Sequence, residues 1–325
     1  MHTRHRALFF SGCFLLLSAA PDPGRAGEFL SVRDENPLLR GVYLPMPVQS
    51  AAGDGTALEG TLAVENTINA EARGAESLFV DGEALLLRLS LDAPLAPRWR
   101  ARLSLPLVRD SGGALDGIID RWHGWFGLPR GDRPAYARDQ LRLSYQGAVT
   151  IDRRESHSGI GDAAAEIGWY AVENPGRALS IWAGVEAPTG SARDLTGNGA
   201  WDAGLWVHAA LRGKRWQGGL EAGVLRPFGD DLFGGQAKRA SMFGRAAAGY
   251  SFSQAWILRV QLEAQSARLK DTQLRFLGPS LVGSLGLERR AGPWSVQAGF
   301  SEDAAVDTAP DVTFFLRIRR AAGAH

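Results

Sequence analysis

From residue 57 to the C-terminus the chain alternates apolar and polar residues, in segments of about ten residues separated by turn residues. In the segment at residues 98–107, Trp99, Leu103 and Leu107 alternate with arginines and a serine. Successive side chains of a strand point to opposite faces, so such a segment has one apolar and one polar face. This pattern is typical of strands in a membrane-spanning barrel, and it also occurs in soluble β-sandwiches.

Four tryptophans favour the membrane barrel. Trp99, Trp216, Trp256 and Trp294 each begin an alternating segment directly after a short turn. The amphipathic indole ring prefers the level of the lipid headgroups, so tryptophans at equivalent strand ends form an aromatic girdle. The sequence therefore predicts an all-β fold, an antiparallel transmembrane β-barrel with short periplasmic turns and longer external loops.

The barrel is predicted to have about twelve strands. A thirteenth alternating run at residues 141–152 conflicts with the even strand numbers of single-chain bacterial barrels. We therefore assign it to a hairpin that turns at Gln146–Gly147 within an external excursion over residues 108–161; fourteen barrel strands are the alternative. The predicted strands lie near residues 58–67, 84–92, 98–107, 163–172, 178–186, 201–211, 216–225, 242–252, 255–265, 280–289, 294–302 and 312–319.

Residues 110–140 interrupt the alternation and contain a predicted short helix. Ile118, Trp122 and Trp125 have the spacing that places side chains on one helix face. Asp116 is the predicted N-cap and Gly127 the predicted stop. If the helix folds inward, its apolar face packs on the barrel wall as a constriction; if it stands outward, it is a contact surface. The residues of this candidate surface are Ile118, Trp122, His123, Trp125 and Phe126.

The first 26 residues have the pattern of a secretory signal peptide. A basic start is followed by an apolar run from Ala7 to Ala20 and by a small residue, Ala26, at the predicted cut. Lipidation at Cys13 is the alternative. After residue 26 no apolar run reaches the length of about 18 residues that a transmembrane helix needs. The predicted location is therefore the cell outer membrane, reached by secretion.

Residues 27–56 carry three prolines and no clean periodicity, so they are predicted to be an irregular periplasmic lead-in to the barrel at residues 57–325. This lead-in either packs into the periplasmic mouth of the barrel or hangs free. We favour the free arrangement.

The inward faces of the predicted strands carry charges of both signs. Buried charges need partners, so ion pairs between strands would fill a narrow barrel; a polar path whose arginines attract anions is the alternative. The approximate balance of charge favours the first interpretation. If the first and last strands meet, Glu59 comes near Arg317. The charged residues predicted to line the lumen are Arg88, Arg98, Arg100, Arg102, Glu166, Glu186, Asp202, Glu221, Arg245, Arg259, Glu263, Glu288 and Arg317.

Catalytic, metal and nucleotide chemistry have weaker support. Ser156, His157 and Ser158 could supply the nucleophile and base of a lipid hydrolase, but neighbours on an extended strand point to opposite faces. The histidines after residue 26 show no HxH or HxxxH spacing, so neither a metal site nor a cofactor is predicted. A net charge of +1 gives no overall attraction to nucleic acid.

Three stretches carry a resemblance to a known family. They are residues 116–131, DGIIDRWHGWFGLPRG, residues 158–162, SGIGD, and residues 311–317, DVTFFLR. Together they resemble the uncharacterised bacterial family known as domain of unknown function 3187. The resemblance implies an outer-membrane-like barrel without an established activity, so it assigns no catalytic residues.

The sequence favours a narrow channel or a structural surface protein, with no catalytic residues. A lipid hydrolase and a surface-binding protein that acts through the helix at residues 116–131 are the alternatives. The expected partners are outer-membrane lipids, the barrel-assembly machinery during biogenesis and, for a channel, a small polar solute. The final strand ends Ile318-Arg319-Arg320, without the terminal aromatic residue usual in assembly signals.

Overall fold

The computed structural model describes residues 29–49, 51, 54–127, 135–229 and 232–322. In this part of the chain, twelve long antiparallel strands form a closed barrel, as predicted, and the fourteen-strand alternative is wrong. Among the described residues no helix is long and apolar enough to cross a membrane. The strands are β1 (Ala57–Arg73), β2 (Glu76–Ala96), β3 (Trp99–Ser111), β4 (Arg142–Gln146), β5 (Thr150–Arg153), β6 (His157–Ile160), β7 (Ala163–Asn174), β8 (Arg177–Ala187), β9 (Asp202–Arg212), β10 (Trp216–Pro227), β11 (Ser241–Ser251), β12 (Trp256–Gln265), β13 (Ser280–Ala291), β14 (Trp294–Asp303) and β15 (Val312–Ala321).

The barrel closes where its first and last strands pair. β1 and β15 are antiparallel from Ala57 opposite Ala321 to Asn66 opposite Val312. Each remaining wall strand pairs with the wall strand before and after it in sequence, and β3 pairs with β7 across the excursion. A sheet closed in this way leaves no edge strand, which is the condition for spanning lipid with strands.

The short strands β4, β5 and β6 belong to the excursion rather than to the barrel circuit. β4 and β5 form the predicted hairpin, with residues 147–149 between them. β4 pairs with the part of β2 that extends, together with β1, beyond the end of β3, and β6 pairs with the end of β3. The excursion therefore continues the wall upward on one side.

The wall strands are connected at the two ends of the barrel. The β1 and β15 termini lie at one end, called here the turn end, where every connection is a short turn. The excursion and the longer loops lie at the other end, the loop end, together with the tight turn at Gly74–Ala75 between β1 and β2; in barrels of this class the longer loops mark the external side. The predicted girdle is confirmed in position, because Trp99, Trp216, Trp256 and Trp294 are the first residues of β3, β10, β12 and β14.

The outer face of the wall is apolar, as lipid requires. Leu103, Leu205 and Leu262 are about half exposed, at 54%, 53% and 53%, whereas the alternate residues of their strands are turned inward. The prediction that Arg98 lines the lumen is wrong. Arg98 lies in the turn between β2 and β3, with a φ of 69° and an exposed side chain, so it does not line the lumen. Arg98 fits the alternation of apolar and polar residues in β3, but that strand begins one residue later.

Helix α1 (Asp116–Phe126) stands outward. Ile119 is fully buried, whereas Ile118 is 49% and Trp125 77% exposed, so these two predicted face residues do not pack on the wall. Asp116 is the first helical residue rather than the N-cap; its carboxylate accepts hydrogen bonds from Asn66 Nδ2 at 3.0 Å and Asp139 N at 2.7 Å. The side chains of Trp122, His123 and Phe126, and residues 128–131, lie outside the described part.

Candidate functional site in the barrel lumen

Residues 29–49 fill the barrel, and we call this segment the plug. All of its residues are buried, and it contains no helix or strand. The irregular backbone agrees with the sequence, but the free lead-in predicted for residues 27–56 is wrong for this part. The plug rises along the wall over residues 29–35, turns over residues 36–42 and descends to join β1.

The turn of the plug is built by local hydrogen bonds. Asn36 Oδ1 accepts from Leu38 N at 3.0 Å, and Asn36 O accepts from Leu39 N and Arg40 N at 2.9 and 2.8 Å. Side-chain oxygens of asparagine commonly stabilise turns in this way. Gly41 lies where the plug contacts the loop before β9. A side chain does not fit at this position, because a Cβ on Gly41 would lie 2.6 Å from the carbonyl carbon of Gly197.

External loops cover the turn of the plug. Leu38 and Leu39 pack in an apolar cluster of residues from the extended β2, the β4–β5 hairpin and the loops before β9, β11 and β13. The loop before β9 is held by Asp162, whose carboxylate accepts from Gly190 N at 2.8 Å and Asn198 N at 3.1 Å. Burial raises the pKa of Asp162, and these backbone hydrogen bonds oppose that shift. The loop end of the lumen is thus sealed by apolar packing.

Two glutamines of the wall bind the backbone of the rising leg. Gln297 Oε1 accepts from Ser31 N at 3.0 Å, and Gln297 Nε2 donates to Phe29 O at 3.1 Å. Gln261 Oε1 accepts from Leu30 N at 3.0 Å, and Gln261 Nε2 donates to Val32 O at 3.1 Å. Both glutamines are buried, so these hydrogen bonds satisfy groups that would otherwise be desolvated without partners.

Charged residues of the wall bind the backbone of the descending leg. Arg102 donates to Met46 O at 2.8 Å and Pro47 O at 2.9 Å, and Arg245 donates to Pro45 O at 2.6 Å. Two carboxylates accept from backbone N–H groups of the same leg: Asp202 from Tyr43 and Glu221 from Val48, each at 2.8 Å. The arginines of the wall therefore bind the carbonyl groups of the plug backbone, and the carboxylates of the wall bind its N–H groups.

Tyr43 occupies a space made by two wall glycines. Its hydroxyl donates to Glu166 Oε1 at 2.9 Å. A Cβ on Gly184 would lie 2.2 Å from the Tyr43 hydroxyl oxygen, and one on Gly204 would lie 3.0 Å from the ring. Any larger residue at position 184 would displace the ring, so β8 and β9 are shaped to accept this side chain.

The predicted lumen charges lie inside the barrel, except Arg98. Most of them form ion pairs around the circuit, and the predicted contact between first and last strands is present, with Arg317 Nε 3.0 Å from Glu59 Oε2. The plug adds partners of its own: Arg88 pairs with Glu35 at 3.1 Å, and Arg40 pairs with Asp110. Other wall pairs are Arg102–Glu166, Arg245–Glu221, Arg245–Glu263 and Arg259–Glu288.

The plug residues and the two glutamines were not predicted from the sequence. The sequence does contain one signal that the plug is buried. A free solvated segment seldom carries as many large apolar residues as this one, which has Phe29, Leu30, Val32, Leu38 and Leu39. No comparable signal marks Gln261 or Gln297, since a polar residue on the inner face of a barrel strand is expected whatever it binds.

The proposed hydrolase residues do not form a nucleophile and base. His157 and Ser158 lie on the extended strand β6, so their side chains point to opposite faces. His157 Nε2 is 3.9 Å from Asp194 Oδ2. Within the described residues, no hydrogen bond joins His157 to a serine hydroxyl.

A closed barrel with an apolar exterior, a girdle of tryptophans and a charged interior has the architecture of an outer-membrane channel protein. The crystal structure of the COG4313 outer membrane channel from Pseudomonas putida F1 is similar, with 14% identity, a TM-score of 0.52, and coverage of 87% of this chain and 98% of that chain. The KdgM porin in complex with disordered oligogalacturonate aligns with 6% identity and a TM-score of 0.44, over 82% of this chain and 99% of that one.

The family model described as protein of unknown function DUF3187 matches residues 30–320. The chain belongs to this family. No curated protein matches the chain.

Proposed function

We propose that this protein is a narrow outer-membrane channel for small polar solutes, which its own plug closes. The observation that carries the proposal is the kind of contact between plug and wall. Both legs pack partly in apolar clusters with the wall, but their backbone groups and charged side chains are bound by hydrogen bonds and ion pairs. Water can replace these polar contacts when the plug leaves. If the plug filled the lumen permanently, apolar packing would stabilise the folded protein more than buried ion pairs do.

The attachment of the plug also supports movement. On its C-terminal side the plug continues through residues 54–56 into β1, so the tether lies at the turn end. In our proposal residues 1–26 are a signal peptide removed during secretion, which leaves Gly27 as the first residue. A hairpin with one free end can leave the lumen without threading through it.

Twelve strands enclose an interior of modest width. With the plug withdrawn, the path would be lined by the ion pairs of the wall, which suits small polar solutes rather than apolar ones. In the same proposal the outer face contacts outer-membrane lipids, and the barrel-assembly machinery inserts the chain. The protein then works by permeation and not by catalysis.

Planar bilayer recordings test the channel. The wild-type protein should show rare, brief openings, because the plug is seated most of the time. Arg40→Ala removes the ion pair with Asp110 at the plug turn and should raise the open fraction by about tenfold or more, since a charged hydrogen bond contributes about 1.5–3 kcal/mol.

Arg154→Ala is the matched control, because Arg154 pairs with Asp152 on the exposed surface and does not touch the plug. Its recordings should match those of the wild type. If wild type and Arg40→Ala are both silent although both migrate as folded barrels, the channel proposal is wrong and the structural surface protein takes its place.

Helix α1 supports a second candidate, a contact surface at the loop end. Trp125 and Ile118 are seven residues apart, so both lie on one helix face, and both are exposed. Large apolar side chains exposed beyond the membrane tend to mark a contact surface. Retention of cells on a partner-coated surface should then fall with Trp125→Ala and stay unchanged with Trp201→Ala, which alters an exposed tryptophan directly before β9.

A further inference from the structure

We propose that the wall around β12 and β14 is a binding site for an extended peptide, and that the rising leg of the plug is the ligand the chain carries for it. The inference rests on the proposed function in one respect: an external peptide reaches this wall only when the plug leaves. The ligand class follows from the groups that the wall presents to the backbone of residues 29–34.

The two glutamines bind opposite edges of the rising leg. In an extended chain, the backbone groups of successive residues point to alternate sides. Gln297 binds Phe29 O and Ser31 N on one side, and Gln261 binds Leu30 N and Val32 O on the other. A side-chain amide offers one acceptor and a donor group, as a peptide unit does. The pair thus replaces the neighbouring strands that an extended peptide would have in a sheet.

The contacts between the rising leg and β12 continue towards the loop end. Glu263, two residues beyond Gln261, accepts from Asp34 N at 2.8 Å, and Gln265, two residues further, donates to Asp34 Oδ2 at 3.3 Å. Alternate residues of one strand therefore face successive parts of the ligand. Only a chain with the rise of a β-strand, about 3.3 Å per residue, can keep this register.

Side-chain contacts define which peptides fit. Leu30 packs against β13, where a Cβ on Gly286 would lie 2.8 Å from Leu30 Cδ2. Asp34 accepts from Ser280 Oγ at 2.9 Å. Leu30 and Val32 also pack in an apolar cluster with residues of β1, β2, β3 and β15. Gln261 and Gln297 contact the backbone of the leg, so their contacts tolerate many sequences. The ligand is accordingly an extended peptide with apolar residues at two alternate positions, the first of which is followed, four positions later, by an acidic residue.

A peptide-exchange experiment on the full chain tests the site. A protease recognition sequence inserted between Ala51 and Asp54 lets the folded protein be cut afterwards, so the plug is held only by its contacts. A fluorescent peptide with the sequence of residues 27–49 is then added in excess. It should exchange into the cut protein and elute with it, and unlabelled peptide should compete.

Variants of the wall identify the binding groups. Gln261→Ala and Gln297→Ala should each raise the Kd of the labelled peptide by about tenfold, because each removes two buried hydrogen bonds. Gln146→Ala changes an exposed glutamine of the hairpin and should leave the Kd unchanged. Equal Kd values for all three variants would overturn the assignment of the site.

Modified competitors test the ligand class. A peptide N-methylated at Leu30 and Ser31 keeps its side chains but loses the two N–H donors, so it should compete poorly. A peptide of otherwise unrelated sequence, with leucine, valine two positions later and aspartate four positions later, should compete, and a neutral oligosaccharide should not. Full competition by the N-methylated peptide or by the oligosaccharide would overturn the proposal.

Bilayer recordings of the cut protein separate the two proposals. Conductance that appears after the plug is washed out, with no block by added peptide, would leave the channel standing and remove the peptide site. Peptide exchange without any conductance would support the peptide site and remove the channel.

Discussion

Tyr43 of the plug donates a 2.9 Å hydrogen bond to Glu166 of β7, and Glu166 accepts a second hydrogen bond from Arg102 Nε at 2.6 Å. The plug is therefore attached to an ion pair of the wall and not to an isolated carboxylate. Because Glu166 keeps Arg102 when Tyr43 leaves, this carboxylate of the wall stays paired without the plug. This relationship makes Tyr43 the most informative single position in the plug.

Tyr43→Phe keeps the ring between the two glycines and removes only the hydroxyl. The loss of a hydrogen bond to a carboxylate costs about 1.5–3 kcal/mol, so the open fraction in bilayer recordings should rise by about tenfold or more. Tyr136→Phe changes a tyrosine that is 41% exposed on the excursion and serves as the control. Equal open fractions for the two variants would show that the Tyr43 hydroxyl does not hold the plug.

Gly184→Ala should expel the plug from the folded barrel. The new Cβ would lie 2.2 Å from the Tyr43 hydroxyl oxygen, whereas a Cβ on Gly60 meets only Leu89 Cδ2 at 3.9 Å. Trypsin should then cut Gly184→Ala after Arg33 and Arg40, which are buried in the wild type. Gly60→Ala should stay as resistant as the wild type. Resistance of Gly184→Ala would mean that the ring finds another position inside the lumen.

Arg245→Met should destabilise the barrel strongly. Arg245 pairs with Glu221 at 2.9 Å and Glu263 at 2.5 Å, and all three side chains are buried. Removing one partner of a buried ion pair leaves an uncompensated charge and costs about 3–5 kcal/mol. Urea unfolding in detergent, followed by circular dichroism, should show this loss. Arg154→Met should unfold at the wild-type midpoint, because Arg154 and Asp152 are solvated.

Trp206→Ala and Trp125→Ala should differ widely in their effect on stability. Trp206 is 1% exposed and stacks on Trp182, with ring centroids 6.1 Å apart, so its loss opens a cavity that costs about 3–5 kcal/mol. Trp125 is 77% exposed, and surface substitutions usually stay within about 0.5 kcal/mol. The same unfolding assay measures both. A shared midpoint would contradict the inward orientation of Trp206.

The wall was predictable because each strand carries its own evidence. Trp99 at the turn end and the leucines that follow it at every second position define β3 without knowledge of any other segment. The alternation that places them outward also places Arg100 and Arg102 inward. Arg98 was misassigned because it continues the same alternation one residue beyond the strand, into a turn where the backbone changes direction.

The plug was not predictable because its structure depends on distant residues. Ser31 and Leu30 take their backbone partners from Gln297 and Gln261, more than 200 residues away. Nothing in the local sequence of the plug indicates which groups bind it. Helix α1 shows the same limit. Its spacing placed Ile118 and Trp125 on one face, but only the structure shows that this face is exposed and that Ile119 packs inward.

The same distances in sequence bear on how the molecule is made. Ser31 and Gln297 are 266 residues apart, and contacts between such distant residues form late in folding. The two glutamines can bind the rising leg only when β12 and β14 are in place, so the N-terminal part of the chain gains these partners after most of the wall has been synthesised. If the wall closes before the hairpin enters, the inserted barrel is open until the hairpin is seated.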